Sequence, residues 1–188
     1  MKLGGSYAGS PLLRPWLRAI EAAAGRVVLV PGGGPFADAV RAAQPAMGFD
    51  DAAADAMAML AMTQFGLALC SLGAVLVMAE SAEEIEAALG GKRVPVWAPL
   101  AMVRGEGGLP RTWDVTSDSL ALWLAAAVRA ERCVLVKSVD APAGQDAAAL
   151  AGSGLVDVAF PDFAARYGGP IEIWGPNQRV TIGRRDAA

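Results

Sequence analysis

Histidine is absent from all 188 residues. That excludes nucleophile triads built on histidine, histidine-ligated zinc and histidine general bases. Lysine is nearly absent as well. Lys2, Lys92 and Lys137 stand against thirteen arginines, so the surface is solubilised by Arg, Asp and Glu, and a remaining lysine is a stronger functional candidate than usual. Lys2 and Lys137 gain further weight because each lies in or beside an apolar strand. Only two cysteines occur, Cys70 and Cys133, both inside apolar segments and without paired spacing, which reads as buried thiols rather than a disulfide. Excess positive charge is lacking too. The net charge of −3 excludes the basic footprint of a nucleic-acid binder, and the basic cluster Arg179, Arg184 and Arg185 reads as a solvated C-terminal end.

A membrane span is also not expected. The longest uncharged run, residues 56–79, is broken by Thr63, Gln64, Gly66, Ser71 and Gly73 and turns β-branched from Val75, so a buried helix followed by a strand accounts for it. No leader-like segment is visible at the N-terminus. The expectation is a soluble, cytoplasmic protein, most simply one domain with a full core. The 54% hydrophobic content is alanine-rich, as expected of small-residue helices packed on Val/Leu strands.

The chain is organised around Arg26-Val-Val-Leu-Val-Pro-Gly-Gly-Gly-Pro-Phe36. Val27 to Val30 read as a strand buried on both faces. Gly32, Gly33 and Gly34 follow at once, then a helical spacing from Phe36 to Ala43. Strand, glycine turn and helix point backbone N–H groups at an anion; glycine is equally what a tight turn demands on steric grounds. Residues 1–6 read as a first strand ending in a second glycine turn, Gly4-Gly5-Ser6. A helix over Pro11–Ala24 follows, with Ser10 as N-cap and Gly25 as its stop.

Further on, Asp50 or Asp51 caps a long helix ending near Cys70, with Met57, Leu60, Ala61, Gln64, Phe65 and Ala68 sharing a face that reads as core or subunit interface. Strands are expected at Ala74–Met78, Val94–Ala98, Cys133–Val136 and Val156–Phe160, with helices at Glu83–Leu89, from Asp114–Asp118 through Val128, at Asp146–Leu150 and at Pro161–Tyr167. Pro99 to Pro110 reads as a surface loop or lid. Ile171–Trp174 and Arg179–Ile182 read as a terminal strand pair. Strand–helix alternation of this kind predicts a three-layer α/β/α sandwich on a mostly parallel sheet.

In such sheets ligands bind at the carboxyl ends of the strands. Gly4-Gly5-Ser6, Gly32-Gly33-Gly34 and Lys137-Ser138-Val139-Asp140 fall there, and Thr116-Ser117-Asp118 opens a helix. Glycine turns, a strand lysine and an aspartate suit phosphoryl transfer, which asks chiefly for positioning and for donors that neutralise negative charge. Spacing alone makes Asp118 a helix cap before a catalytic group. Neither a dinucleotide fingerprint nor a P-loop lysine motif is present.

Three stretches, Lys2-Leu-Gly-Gly-Ser6, Val30-Pro-Gly-Gly-Gly-Pro-Phe-Ala-Asp38 and Trp113-Asp-Val-Thr-Ser-Asp-Ser-Leu120, resemble in order and spacing the amino acid kinase superfamily of acetylglutamate, aspartate and uridylate kinases. Met57-Ala-Met-Leu-Ala-Met62, Val94-Pro-Val-Trp-Ala-Pro99 and Val156-Asp157 look most like the branch containing the aminomethylfuran phosphate kinase of methanofuran biosynthesis.

The resemblance implies an ATP- and Mg2+-dependent kinase acting on a small-molecule phosphate or carboxylate acceptor, with homo-oligomers (a dimer or larger) or hetero-oligomers as partners. It implies an acceptor-binding part over about 1–130 and a nucleotide-binding part over about 131–188. Lys2 would contact the transferring phosphoryl group, with Gly4, Gly5 and Ser6 at the ATP phosphates. Gly32, Gly33 and Gly34 would hold the acceptor or the transferred group by backbone N–H bonds. Thr116 and Ser117 would line the acceptor pocket, Asp118 would orient the catalytic lysine, and Lys137 and Asp140 would lie by the nucleotide. No protein metal ligand is implied.

Three departures bear on activity. Near Asp55, where the resemblance to the furan kinase branch implies a histidine, there is none. The family's usual strand-end Thr-Asp-Val-Asp-Gly stands here as Lys137-Ser-Val-Asp-Ala141. No lysine follows Lys137, so the second catalytic lysine common in the superfamily has Lys137 as its candidate replacement. The alternative reading is a non-catalytic nucleotide-binding or structural subunit of the same fold.

Overall fold

A computed structural model describes residues 1–105, 108–142 and 144–176. Six short strands form the middle layer: β1 (Lys2–Leu3), β2 (Val30–Pro31), β3 (Leu76–Ala79), β4 (Val94–Trp97), β5 (Cys133–Val136) and β6 (Ile171–Trp174). Four of them pair in the order β2-β1-β5-β6, and β3 pairs with β4. A parallel bridge from Leu29 to Val96 joins the two sets, with Leu29 N–H donating to Pro95 C=O and Trp97 N–H to Leu29 C=O. Among the described residues every strand pair is parallel. Parallel neighbours require crossovers, and helices provide them.

Alternate residues of the strands enter two different cores. Leu3, Leu29, Val94, Val96 and Val136 pack with Trp16, Leu17 and Ile20 of α1 (Leu13–Glu21) and with Phe65 and Leu69 of α3 (Asp51–Leu72). Val30, Trp97, Cys133 and Leu135 pack instead with α4 (Ala82–Gly90), α6 (Ser117–Ala127), α7 (Ala147–Gly152) and α8 (Phe160–Tyr167). This period-two partition buries both faces of the sheet, the reason its strands read as unbroken apolar runs. The α/β architecture with a mostly parallel sheet is the one expected.

Several local expectations are corrected. The β2 ladder begins at Leu29, leaving Val27 and Val28 outside the strand. Helix α1 has Leu12 at its N-cap without a side-chain bond; Ser10 Oγ accepts from Leu12 N–H ahead of the helix, and Gly25, at φ 83°, turns the chain after it. Helix α2 (Gly34–Met47) runs past Ala43 and carries Pro45 within it. Asp50 caps α3, its Oδ1 accepting from Ala53 N–H at 2.8 Å.

The expected α3 stripe is rotated. Ala61 and Phe65 of that stripe are buried, together with Ala54, Met59, Met62, Gly66 and Leu69, whereas Met57, Leu60, Gln64 and Ala68 face outward with Leu67. Helix α3 is long and apolar enough to cross a membrane by length and composition, but its inner side packs into both cores. The expected loop after Pro99 contains helix α5 (Leu100–Arg104). Val156–Phe160 is no strand; Val156 is buried in the core and α8 begins at Phe160. Arg179–Ile182 and the terminal arginines lie outside the described residues.

Candidate functional site

Helix α6 places the centre of the site. Its first-turn residue Asp118 is only 5% exposed and does not cap its own helix. The carboxylate reaches instead to two lysines from neighbouring strands. Lys2 Nζ, from β1, lies 2.9 Å from Oδ1, and Lys137 Nζ, at the end of β5, donates to Oδ2 at 2.6 Å. Lys2 is itself 5% exposed. Parallel pairing in register, Lys2 beside Leu135 and Leu3 beside Val136, brings the two lysines to one carboxylate.

Burial by itself would raise the Asp118 carboxyl, yet the two ammonium groups hold it below its ordinary value. Burial, reinforced by the neighbouring Lys2 charge, pushes Lys137 down against the pull of Asp118. Two ammonium groups flank the one carboxylate, and Asp157 adds a weaker pull on Lys137. Tyr7 fixes the strand end by donating its hydroxyl to Lys137 C=O at 2.7 Å.

The cap that α6 lacks comes from Asp157, 41 residues after Thr116. Asp157 Oδ2 accepts from Thr116 N–H at 2.9 Å, Thr116 Oγ1 at 2.8 Å and Ser119 N–H at 3.0 Å, and Ser119 Oγ donates to Oδ1. The helix end is thereby satisfied, and Asp118 is released for the lysines. Asp157 was legible only as part of a family-like stretch; nothing in the spacing of α6 announces a cap from so far away.

Both glycine turns lie beside this cluster. A Cβ on Gly5 would overlap Gly34 N and Cα, and one on Gly32 would overlap Gly5 N; the turns pack backbone against backbone, and Gly34 sits at φ 54°. Gly4 lies next to the Lys2 ammonium, 3.7 Å from where a Cβ would sit. Two of the expected N–H donors are already engaged. Gly4 N–H donates to Val136 C=O and Gly32 N–H to Leu3 C=O. Gly33 and Gly34 stand at the N-terminus of α2, where the first N–H groups have no helical acceptor.

A cavity of about 790 Å³ opens in front, lined by Gly5, Ser6, Gly33, Gly34, Thr116 and Ser117 on the strand-end side. Met59 and Met62 of α3, Leu120 and Trp113 form its apolar walls, and Asp38, Arg41 and Asp55 its charged ones. Lys2, Gly4, Gly32, Asp118, Lys137 and Asp140 are not among its lining residues; Asp140 is exposed beyond the end of β5, its carboxylate beside Gly175.

Sequence reasoning missed three of the cavity's side chains. Arg41 lies 4.3 Å over the Trp113 ring, and Trp113 Nε1 donates to Gln44 Oε1 at 2.7 Å, so α2 and the segment before α6 close one wall together. Asp55 is half-buried, and that burial raises its pKa while Arg111 opposes the rise. The signal for Asp55 was an acid on the inner side of an otherwise alanine- and methionine-rich helix. Among the described residues no group of three or more His, Cys, Asp and Glu is placed to hold a metal. Cys70 and Cys133 are free thiols, and burial pushes Cys70 up to about 11.

The chain is similar to known proteins in sequence and in fold. The chain is 23% identical over 142 residues to the [5-(aminomethyl)furan-3-yl]methyl phosphate kinase of Methanocaldococcus jannaschii, the match covering 74% of this chain and 65% of that protein. The chain thus spans slightly less than two thirds of the length of that relative. Among solved structures, the uridylate kinase of Archaeoglobus fulgidus superposes with a TM-score of 0.70 at 18% identity, over 92% of this chain and 89% of that one. The UMP kinase of Ureaplasma parvum does so at 0.66 and 18%, over 95% and 89%. The model of the amino acid kinase family matches residues 1–141. Three-quarters of its length, including both glycine turns, Lys2, Asp118 and Lys137, therefore falls within the match, and the chain belongs to the amino acid kinase family.

Proposed function

We propose that this protein is an ATP-dependent kinase that transfers the γ-phosphoryl group to a small phosphate or carboxylate acceptor, with [5-(aminomethyl)furan-3-yl]methyl phosphate as the acceptor of choice. The observation that carries the reading is the buried Lys2–Asp118–Lys137 cluster set behind a cavity that Gly5, Ser6, Gly33, Gly34 and Ser117 line. An oxygen of the acceptor anion attacks the γ-phosphorus, the bond from that phosphorus to the bridging oxygen breaks, and ADP leaves. A phosphate or carboxylate acceptor is already deprotonated, so the attack needs no general base, and a histidine-free site suffices.

Lys2 and Lys137 neutralise the negative charge that spreads over the transferring group, and Asp118 fixes both ammonium groups. Lys137 thus serves as the second lysine that the sequence lacks downstream. Gly5, Ser6, Gly33 and Gly34 offer backbone N–H groups to the phosphates. Thr116 and Ser117 line the acceptor side, and Asp55, Met59, Met62 and Trp113 offer a carboxylate and apolar walls to an acceptor bearing an amine and a ring. ATP enters from the β5 end, near Lys137 and Asp140. Magnesium, for which the described residues offer no acidic cluster, arrives on the ATP phosphates and belongs to the substrate.

In this reading residues 1–188 form one domain, acceptor side first and nucleotide side from about 131. The protein works in the cytoplasm as a dimer or larger assembly, supported by the outward Met57, Leu60 and Leu67 of α3. The test is ADP formation from Mg-ATP over aminomethylfuran phosphate, UMP, isopentenyl phosphate, acetylglutamate and aspartate. Turnover confined to one acceptor and lost in Lys2→Ala is expected. Silence over the whole panel with ATP still bound would return the non-catalytic nucleotide-binding subunit.

A further inference from the structure

Where the chain enters β2 and β5 lies a second cavity of about 530 Å³, with no lining residue in common with the first. Its floor is apolar, made by Val28, Leu124, Ala125 and Val134, and Trp174 closes one side. Its rim carries Arg26, Arg129 and Arg132 against the single acid Glu131. Arg132 is held 3.8 Å from Glu172, and none of the ion pairs among the described residues involves Arg26 or Arg129. In a chain of net charge −3, this is a local reversal of sign over an apolar hollow.

Arg129 adds a second, independent sign. It leaves the C-terminus of α6 at φ 52°, a conformation in which glycine is the ordinary residue and a side chain is strained. A cation near a helix C-terminus gains from the dipole, but the preceding turn could supply one without that strain. The chain instead bears a guanidinium at the strained position, on the cavity rim.

We infer that this cavity is a binding site for a small organic anion with an apolar body, its carboxylate or phosphate head held by Arg26 and Arg129 and its body on the Val28–Leu124–Val134 floor. Guanidinium groups pair with either head in a fork geometry, and a pocket of this size with few convergent polar groups is an ordinary small-molecule site. The site shares no lining residue with the glycine-lined cavity and does not rest on the proposed kinase activity.

Titrating the intact protein with octanoate, octyl phosphate and, as neutral control, octanol, followed by calorimetry and by intrinsic tryptophan fluorescence, to which Trp174 contributes as one of five tryptophans, tests the inference. Both anions are expected to saturate at one per chain with a change in tryptophan emission. Octanol should bind at least tenfold more weakly, and the tighter of the two anions identifies the preferred head. Arg129→Gly, which relieves the backbone and so keeps the fold, and Arg26→Gln should each weaken binding about tenfold, while Lys2→Ala leaves it unchanged. Failure of both anions to bind, equal binding of octanol, wild-type affinity in both arginine variants, or a loss that tracks Lys2→Ala would each overturn it.

Discussion

Two aspartates meet at the N-terminal turn of α6 and do opposite work. Asp118 belongs to the helix and gives its carboxylate to two lysines of the sheet. Asp157 belongs to a remote segment and gives its carboxylate to the helix, binding Thr116 and Ser119. A carboxylate in the first turn normally settles on the free N–H groups, because they are the nearest donors. Here those donors are occupied from outside, and an ordinary helix acid becomes the anchor of a buried charge cluster. The comparison teaches that the role of an acidic residue at a helix start is decided by who else reaches that end.

The largest effect is expected from removing the Asp118 charge. Asp118→Asn leaves two buried ammonium groups without an anion, which costs about 3–5 kcal/mol where a buried pair is broken. Phosphoryl transfer should fall about a thousandfold, the upper part of the range for loss of a preorganised electrostatic group. Circular dichroism with ADP-release assays on the same sample separates the two losses. Asp118→Asn with near-normal turnover would remove the distinction between the two aspartates.

Next come the lysines. Lys2→Ala and Lys137→Ala should each lower kcat about a hundredfold, and the double variant should lose far less than the product of the two, because both act through one carboxylate. Additive losses would show that the lysines serve separate tasks.

Asp157→Ala should act on stability first. Four hydrogen bonds from the start of α6 lose their acceptor, and a loss of about 2–3 kcal/mol is expected, read by urea unfolding. Turnover should drop by about tenfold through displacement of Asp118, with Asp157→Asn recovering part of both. A variant whose stability is unchanged but whose activity vanishes would place Asp157 in the chemistry instead.

The smallest effects are in pH. Asp118 titrates below its ordinary 3.8 in the folded state, so between the two values the unfolded chain binds more protons and stability rises with pH. Its stabilisation is complete above about 3.8 and is lost as pH falls through the folded value. The stability gap between wild type and Asp118→Asn should therefore close below pH 3.8, measured by unfolding across that window. At the alkaline end, Lys137 loses its proton below the ordinary 10.5, so kcat should decline below that pH, and Lys137→Arg should shift the decline upward.

Much of this was legible in the residues. The parallel sheet followed from apolar runs such as Cys133–Val136, and the glycine turns from their position at the ends of Lys2–Leu3 and Val30–Pro31. Scarcity singled out Lys2 and Lys137. What could not be read was anything depending on contacts between distant segments. The outward rotation of Met57 and Leu60 follows from which side of α3 meets the cores, and a helix apolar all round carries no periodic sign of that. Gly32 looked like an anion donor until the ladder took its N–H and Gly5 took the space beside it. The same holds for Asp118, whose cap-like position was correct and whose role was decided by Asp157.

The most direct measurement is ADP formation from Mg-ATP with [5-(aminomethyl)furan-3-yl]methyl phosphate, run side by side on wild type, Asp118→Asn and Asp157→Asn. The account predicts turnover in wild type, near-complete loss in Asp118→Asn and a partial loss in Asp157→Asn that follows its stability. Equal losses in the two variants, or none in Asp118→Asn, would contradict it.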